Sequence, residues 1–260
     1  RHFWRSDIQI HRTPDYYFSV KMSSKRVVGS ESCNSENLLG FYLGDGAAFL
    51  YQTQKEYDNI FPFWNWKKIP GTTTLQDEAP LPLPNKQRMI QEFVGGVSDG
   101  AQGIAALDYK RRNLWARKAW FLFGDQIVCL GAGIHSTNRS AVATTINQSY
   151  LVGPIEVGSA GQGAPLVGPT NTTLKLDWLL HDNVGYLFPG GTEVVVEAGP
   201  VKGSWHRVAS RYPDKVETAD LLTLGINHGK APQDGTYDWI IVPHATSTQL
   251  GDLTHNPPFV

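Results

Sequence analysis

Apolar and polar positions alternate with a period of two along much of this chain. Tyr16, Phe18, Val20 and Met22 interleave with Tyr17, Ser19 and Lys21, the pattern of a strand with one buried face. Trp120-Phe121-Leu122-Phe123 and Gln126-Ile127-Val128-Cys129-Leu130 flank Gly124-Asp125, and two apolar runs joined by such a turn predict a hairpin. Gly190-Gly191 precedes an alternating strand from Thr192 to Glu197. Asp234-Gly235 precedes Tyr237 to Val242, a run that predicts burial on both faces. With 26 Gly and 16 Pro as punctuation, few windows leave room for a long helix; Thr218 to Leu222 and Tyr57 to Phe61 are the best short candidates. Pro80 to Asn85 predicts an extended surface loop, and Gly153 to Thr173 a long loop or twisted hairpin. Strands spaced by turn signals, with no repeat of fixed period, predict an all-β fold built as one large sandwich domain over residues 1–260.

The densest polar chemistry lies in ESCNSENLLGFYLGDG, residues 31–46. Glu31, Asn34, Glu36 and Asn37 fall within seven residues, ahead of an apolar strand-like segment that ends on Gly44-Asp45-Gly46. Carboxylates and amides beside a buried segment need partners, so the cluster is either a structural hydrogen-bond hub or one wall of an active site. Glu31 and Glu36 differ by five positions and on one strand would point to opposite faces, which argues against the facing carboxyl pair of a glycoside hydrolase. The eight histidines are scattered without metal-ligand spacing, and no Gly-x-Ser-x-Gly or phosphate-cradling loop is present. Gly95-Gly96 in FVGGVSDG (93–100) is explained at least as well by a tight turn as by an anion nest. Lys110-Arg111-Arg112 predicts a solvated hairpin tip in preference to a contact for an anionic polymer.

A net charge of −1 and a pI near 6.8 supply no basic field for nucleic acid or an anionic membrane. No apolar run approaches the ~18 residues of a membrane span. The opening RHFWRSDIQIHR reads as the interior of a domain and not as a signal peptide. Eight Trp raise the prospect of sugar stacking, although most are expected to fill the core. The two cysteines set no framework: Cys129 reads as a small buried hydrophobe, in preference to a bridge with Cys33. Sequons at Asn138, Asn147 and Asn171 arise by chance often enough to carry little weight.

Five blocks occur in order: ESCNSENLLGFYLGDGAAFLY (31–51), FPFWNWKKIPGTTT (61–74), FVGGVSDGAQG (93–103), ARKAWFLFGDQIVCLGAGI (116–134) and TTINQSYLVGP (144–154). Together they resemble the central β domain of polysaccharide lyase family 8, which contains chondroitin AC, hyaluronate and xanthan lyases. The resemblance covers the whole chain, is weakest from 155 to 235, and is nearest to the chondroitin AC lyases in its Asn-Leu-Leu-Gly and Phe-Trp-Asn-Trp wording.

The resemblance implies a large antiparallel β-supersandwich of the galactose-mutarotase-like class, with few short helices, and β-elimination at uronic acid residues of an acidic polysaccharide. In that family an Asn neutralises the uronate, a His and a Tyr handle the protons, and arginines steady the site. These come from a preceding α/α-toroid, expected to lie outside residues 1–260 together with a following C-terminal β domain. Glu31 stands where the family places a Glu that fixes a catalytic Arg, and Asn34 where it places an Asn facing the cleft; these two are the expected catalytic-site residues. Glu36 and Asn37 are expected to tie down backbone. The segment Asn85-Lys86-Gln87 lacks a Trp found there in some chondroitin AC lyases. Asn65 and Lys67 replace acidic residues that bind calcium in some relatives, so neither metal nor cofactor is expected. A secreted or periplasmic bacterial enzyme is implied, inactive as the isolated chain. A second reading is a non-catalytic module that holds glycans through Trp64, Trp66 and a basic rim; these two indoles are the substrate-binding candidates. A third, a sugar-mutarotase-like enzyme, would need a facing His and Glu pair of which there is no sign.

Overall fold

The structure is a computed structural model and describes residues 1–159 and 162–255. β1 (His2–Phe3), β2 (Ile8–Arg12), β3 (Tyr17–Lys21) and, beyond the short β4 (Val28–Ser30), β5 (Ala47–Tyr51) build a four-stranded antiparallel sheet in the order β1-β2-β3-β5. β6 (Thr73–Leu75) and β7 (Gln87–Arg88) follow, and β7 pairs with β4 in a ladder of its own. β6 joins a twelve-stranded sheet with β8 (Val94–Ser98), β9 (Gly103–Arg111), β10 (Leu114–Leu122), β11 (Ile127–Ser136), β12 (Ala141–Tyr150), β13 (Ile155–Ser159), β14 (Gln162–Leu166), β15 (Thr170–His181), β16 (Val184–Gly203), β17 (Glu217–Lys230) and β18 (Gly235–Pro243). A helix, α1 (Ser247–His255), follows.

The long β16 divides this sheet. Val184–Leu187 pair with β18, leading on to β11, β10, β9 and β8, whereas Val195–Gly203 pair with β17, leading to β12 and β6. Between them Gly190 and Gly191 sit at φ of 76° and 77°, where the register with β15 also shifts. Left-handed backbone costs a side-chain-bearing residue but not glycine, so the pair bends the strand without ending it. The alternating strand read from Thr192 to Glu197 is therefore part of a longer, continuous one. Side chains of both branches meet those of the small sheet in one core that contains Phe18, Val20, Trp120, Cys129, Leu222, Leu224 and Trp239. The all-β supersandwich expected from the resemblance is what the chain forms.

Alternation marked the strands well: Tyr16, Phe18, Val20 and Met22 are all buried, and β10 and β11 form the expected hairpin, closed by Phe123 N–H to the Gln126 carbonyl at 2.9 Å. Gly153 to Thr173 contains the hairpin β13–β14, and Cys33 and Cys129 are free thiols. The helix candidates failed. Thr218 to Leu222 lies in β17, where ladders to β12 and β16 override local propensity, and Tyr57 to Phe61 is a run of turns. The helix that does form has weak intrinsic preference and is held by Leu250, buried against Gly185 and Ala245. Gly95-Gly96 lies inside β8 and makes neither turn nor nest; a Cβ on Gly96 would fall 2.6 Å from His2 Nδ1.

A candidate active-site wall

The segment 31–46 is not a strand but a ridge of tight turns that ends where β5 begins. Glu36 N–H donates to the Cys33 carbonyl at 2.9 Å around Asn34 and Ser35, at φ of 52° and 61°. Two successive left-handed residues define a turn that Asn tolerates better than most residues, and it leaves Asn34 exposed at the tip. Among the described residues the Asn34 amide has no hydrogen-bond partner. Asn37, also left-handed at φ 54°, donates through Nδ2 to Ser30 Oγ at 2.9 Å and to the Glu31 carbonyl at 2.8 Å. Ser32 Oγ donates to the Glu36 carbonyl at 2.7 Å, and Ser32 N–H to the Pro84 carbonyl at 2.6 Å. Asn37 thus ties down backbone as expected, while Glu36 acts through an ion pair with Arg211.

Glu31 projects from this frame. Its side chain is 45% exposed, and Lys86 Nζ lies 3.2 Å from Oε1 on a side chain 65% exposed. An exposed ion pair of this kind contributes only about 0–1 kcal/mol, so the carboxylate can exchange its partner at little cost. Lys86 occupies the loop in which the expected Trp was missing.

The foot of the ridge is anchored by the β9–β10 hairpin tip, which is not the solvated charge run expected from Lys110-Arg111-Arg112. Arg112 and Asn113 form its two-residue turn, at φ of 53° and 59°. Asp45, fully buried, accepts from Arg111 Nη2 at 2.8 Å, and its second oxygen lies 2.5 Å from Arg111 Nε. Burial pushes the Asp45 carboxyl up, against the pull of Arg111 and Lys118. Lys118 is buried too; burial lowers its pKa to about 7, and its Nζ donates to the Gly71 carbonyl. Arg112 reaches Tyr42 OH at 3.3 Å and Asp77 Oδ2 at 2.6 Å.

Trp64 and Trp66 are 1% and 2% exposed, so neither offers a face to a sugar ring. Trp64 stacks on Phe49 at 5.8 Å and 5°, and donates through Nε1 to the Gln148 carbonyl at 3.1 Å; Trp66 donates to the Phe61 carbonyl at 3.2 Å. Burying 150–250 Å² of indole is worth roughly 4–6 kcal/mol of gross transfer free energy each, which is why these residues serve as pillars under residues 38–72 instead. This corrects their assignment as substrate-binding residues. Beside them Lys67 Nζ sits on Asp77 Oδ1 at 2.5 Å, the Ala79 carbonyl at 2.7 Å and the Asp77 carbonyl. Burial alone would raise Asp77, but the bonds from Lys67 and Arg112 outweigh it and hold the carboxyl below its usual range. The Lys67 ammonium thus neutralises Asp77 beside the Trp64-Asn65-Trp66 segment.

Residues 1–254 match polysaccharide lyase family 8, super-sandwich domain. The chain belongs to that family. This family 8 domain is 41% identical over 248 residues to the chondroitinase-AC of Pedobacter heparinus, covering 93% of this chain and 35% of that protein. It is 32% identical over 265 residues to the xanthan lyase of Bacillus sp. strain GL1, covering 96% of this chain and 28% of that one. Among solved structures it superposes on a chondroitinase AC lyase studied as oligosaccharide complexes with a TM-score of 0.92 and 38% identity, over 99% of this chain and 38% of that one. The family 8 domain thus spans about a third of the length of these relatives, and among the described residues no helix is long and apolar enough to cross a membrane. Pattern reading missed the loop from Ser204 to Tyr212, which abuts the ridge; Trp205-His206-Arg207 in a β-rich chain was the available signal.

Proposed function

We propose that this domain forms one wall of the active site of a lyase that cleaves chondroitin or hyaluronan by β-elimination. It acts within a longer polypeptide that supplies the proton-transferring groups. The observation that carries this reading is a half-exposed Glu31 carboxylate and an Asn34 amide without a partner among the described residues, set on one hydrogen-bonded ridge. In the reaction the C5–H bond breaks, the C4–C5 double bond forms, the C4–O4 bond breaks, and O4 takes up a proton. On this reading neither Glu31 nor Asn34 carries those protons. A carboxylate can instead hold an arginine from the opposite wall in a paired, fixed orientation, exchanging Lys86 for it, and an exposed amide can donate to a sugar oxygen. Such a polymer is too large to enter a cell, so the enzyme is expected outside the cytoplasm.

The test is release of 4,5-unsaturated uronate, followed by its ultraviolet absorbance, from the longer polypeptide and from this chain alone. Product from the former and none from the latter is expected, and Glu31→Gln lowers kcat. Absence of unsaturated product from the longer polypeptide sinks the lyase reading. The binding-module reading loses its main support because Trp64 and Trp66 are buried.

A further inference from the structure

The loop after β16 is bound to the Asn34-Ser35 turn at Ser35 and to Glu36 and Leu38 just after it. It runs from Ser204 to Tyr212 through one 3-10 turn, Trp205–Arg207, in which Ser204 Oγ accepts from His206 N–H at 3.2 Å. Leu38 N–H donates to the Val208 carbonyl at 2.9 Å, Ser210 N–H donates to the Ser35 carbonyl at 3.0 Å, and Arg211 pairs with Glu36. These contacts seat the loop directly against the ridge that carries Asn34.

The cations of this loop are not equally engaged. Arg211 is neutralised by Glu36 and lies over the Tyr212 ring at 5.1 Å. Arg207 is exposed, has no carboxylate within ion-pair distance among the described residues, and makes one long hydrogen bond, 3.4 Å from Nη1 to the Pro62 carbonyl. Two residues earlier in the same turn is Trp205, whose ring lies 5.6 Å from Tyr212 and 6.3 Å from the exposed Phe61. Its indole N–H has no acceptor among the described residues, in contrast to those of Trp64 and Trp66. His206 Nδ1 faces the Tyr212 carbonyl at 2.8 Å; a carbonyl only accepts, so Nδ1 carries the proton. An exposed arginine anchored only to the Pro62 carbonyl, next in sequence to the Phe61 that the Trp205 ring approaches, with no carboxylate paired to it among the described residues, suits an oxyanion.

We propose that Arg207, assisted by Trp205, binds a carboxylate or sulfate of the polysaccharide on a sugar beyond the one at Asn34, and so makes this loop a determinant of polymer specificity. The proposal rests on the lyase reading, and its test separates the two. In the longer polypeptide, Arg207→Gln is expected to raise KM about tenfold, the loss of one charge-assisted hydrogen bond, with kcat falling much less and Arg207→Lys partly restoring KM. A rise confined to sulfated chondroitin identifies the sulfate as the anion; an equal rise on unsulfated hyaluronan identifies the carboxylate. Arg139→Gln, at the β11–β12 turn, is expected to change neither. An unchanged KM on both polymers overturns the proposal. If the parent makes no unsaturated product, the lyase reading fails, and the loop is judged by binding alone. A chondroitin sulfate tetrasaccharide titrated into this chain should then shift the Trp205 indole N–H resonance, assigned by Trp205→Phe, and Arg207→Gln should abolish the shift. No shift in the parent overturns the proposal in that case.

Discussion

Asn37 offers the sharpest test of how the ridge holds Glu31 and Asn34. Its amide donates two hydrogen bonds, at 2.9 and 2.8 Å, and its backbone sits at φ 54°. Two hydrogen bonds contribute about 1 kcal/mol each, and left-handed backbone costs a β-carbon-bearing residue other than Asn or Asp about 1 kcal/mol more. Asn37→Ala is therefore expected to destabilise the chain by about 3 kcal/mol. Asn37→Gly relieves the backbone but loosens the unfolded chain, so it recovers at most about 0.5 kcal/mol of that. Asn37→Asp keeps shape and backbone tolerance but brings acceptors to the Glu31 carbonyl, and should be at least as damaging as glycine. Urea denaturation of the four proteins at one pH, compared through midpoint and slope, measures these differences. An aspartate as stable as the parent would refute the claim that amide donation holds the ridge. Glycine and alanine variants both within about 0.5 kcal/mol of the parent would refute the whole account.

Three further outcomes follow from the packing and the charges. Trp64→Ala should cost about 3–5 kcal/mol, while the milder Trp64→Phe should leave affinity for a chondroitin oligosaccharide unchanged; weakened affinity with an intact melt would restore a sugar-binding role. His181 accepts Val152 N–H through Nε2 at 3.0 Å, which requires a neutral ring, and burial lowers it from 6.5 to about 4. The unfolded chain therefore takes up a proton between those values that the folded chain refuses, so stability is full above pH 6.5 and falls as pH drops toward 4. The loss reaches at most about 3 kcal/mol for this group, and His181→Gln should flatten the slope of urea midpoint against pH; an unaltered slope would contradict the assignment. Lys67→Gln should cost about 2–4 kcal/mol by leaving Asp77 with Arg112 alone, and a chelator should not move the melting temperature of the parent.

The strands were legible because one buried face imposes alternation, as in Tyr16 to Met22 and in the hairpin around Gly124-Asp125. Glu31 and Asn34 were legible as a polar cluster, and their family roles came from the resemblance of the surrounding blocks. What stayed hidden depends on partners far along the chain. Arg111 reads as a surface charge until Asp45, distant in sequence, is folded against it. Trp64 and Trp66 carry the composition of a sugar platform, and only the packing of Phe49 and Gln148 against Trp64, and of Phe61 against Trp66, reveals that they are interior. Thr218 to Leu222 lost its helical preference to ladders on both sides. The Arg207 loop meets the ridge through backbone bonds between residues some 170 positions apart, as from Leu38 to Val208, which no local pattern signals.

Lys67 has a consequence best expressed as mass action. An ion that stabilises a fold does so in proportion to the logarithm of its free concentration, and its contribution fades when the surroundings are depleted. The ammonium on Asp77 is covalently attached, so its local concentration is fixed by the chain and never diluted. On the proposed lyase reading the domain works among acidic polysaccharides, which are themselves reservoirs for divalent cations and would compete for any ion it needed. By carrying the positive charge as a side chain, this domain takes that stabilisation out of the competition.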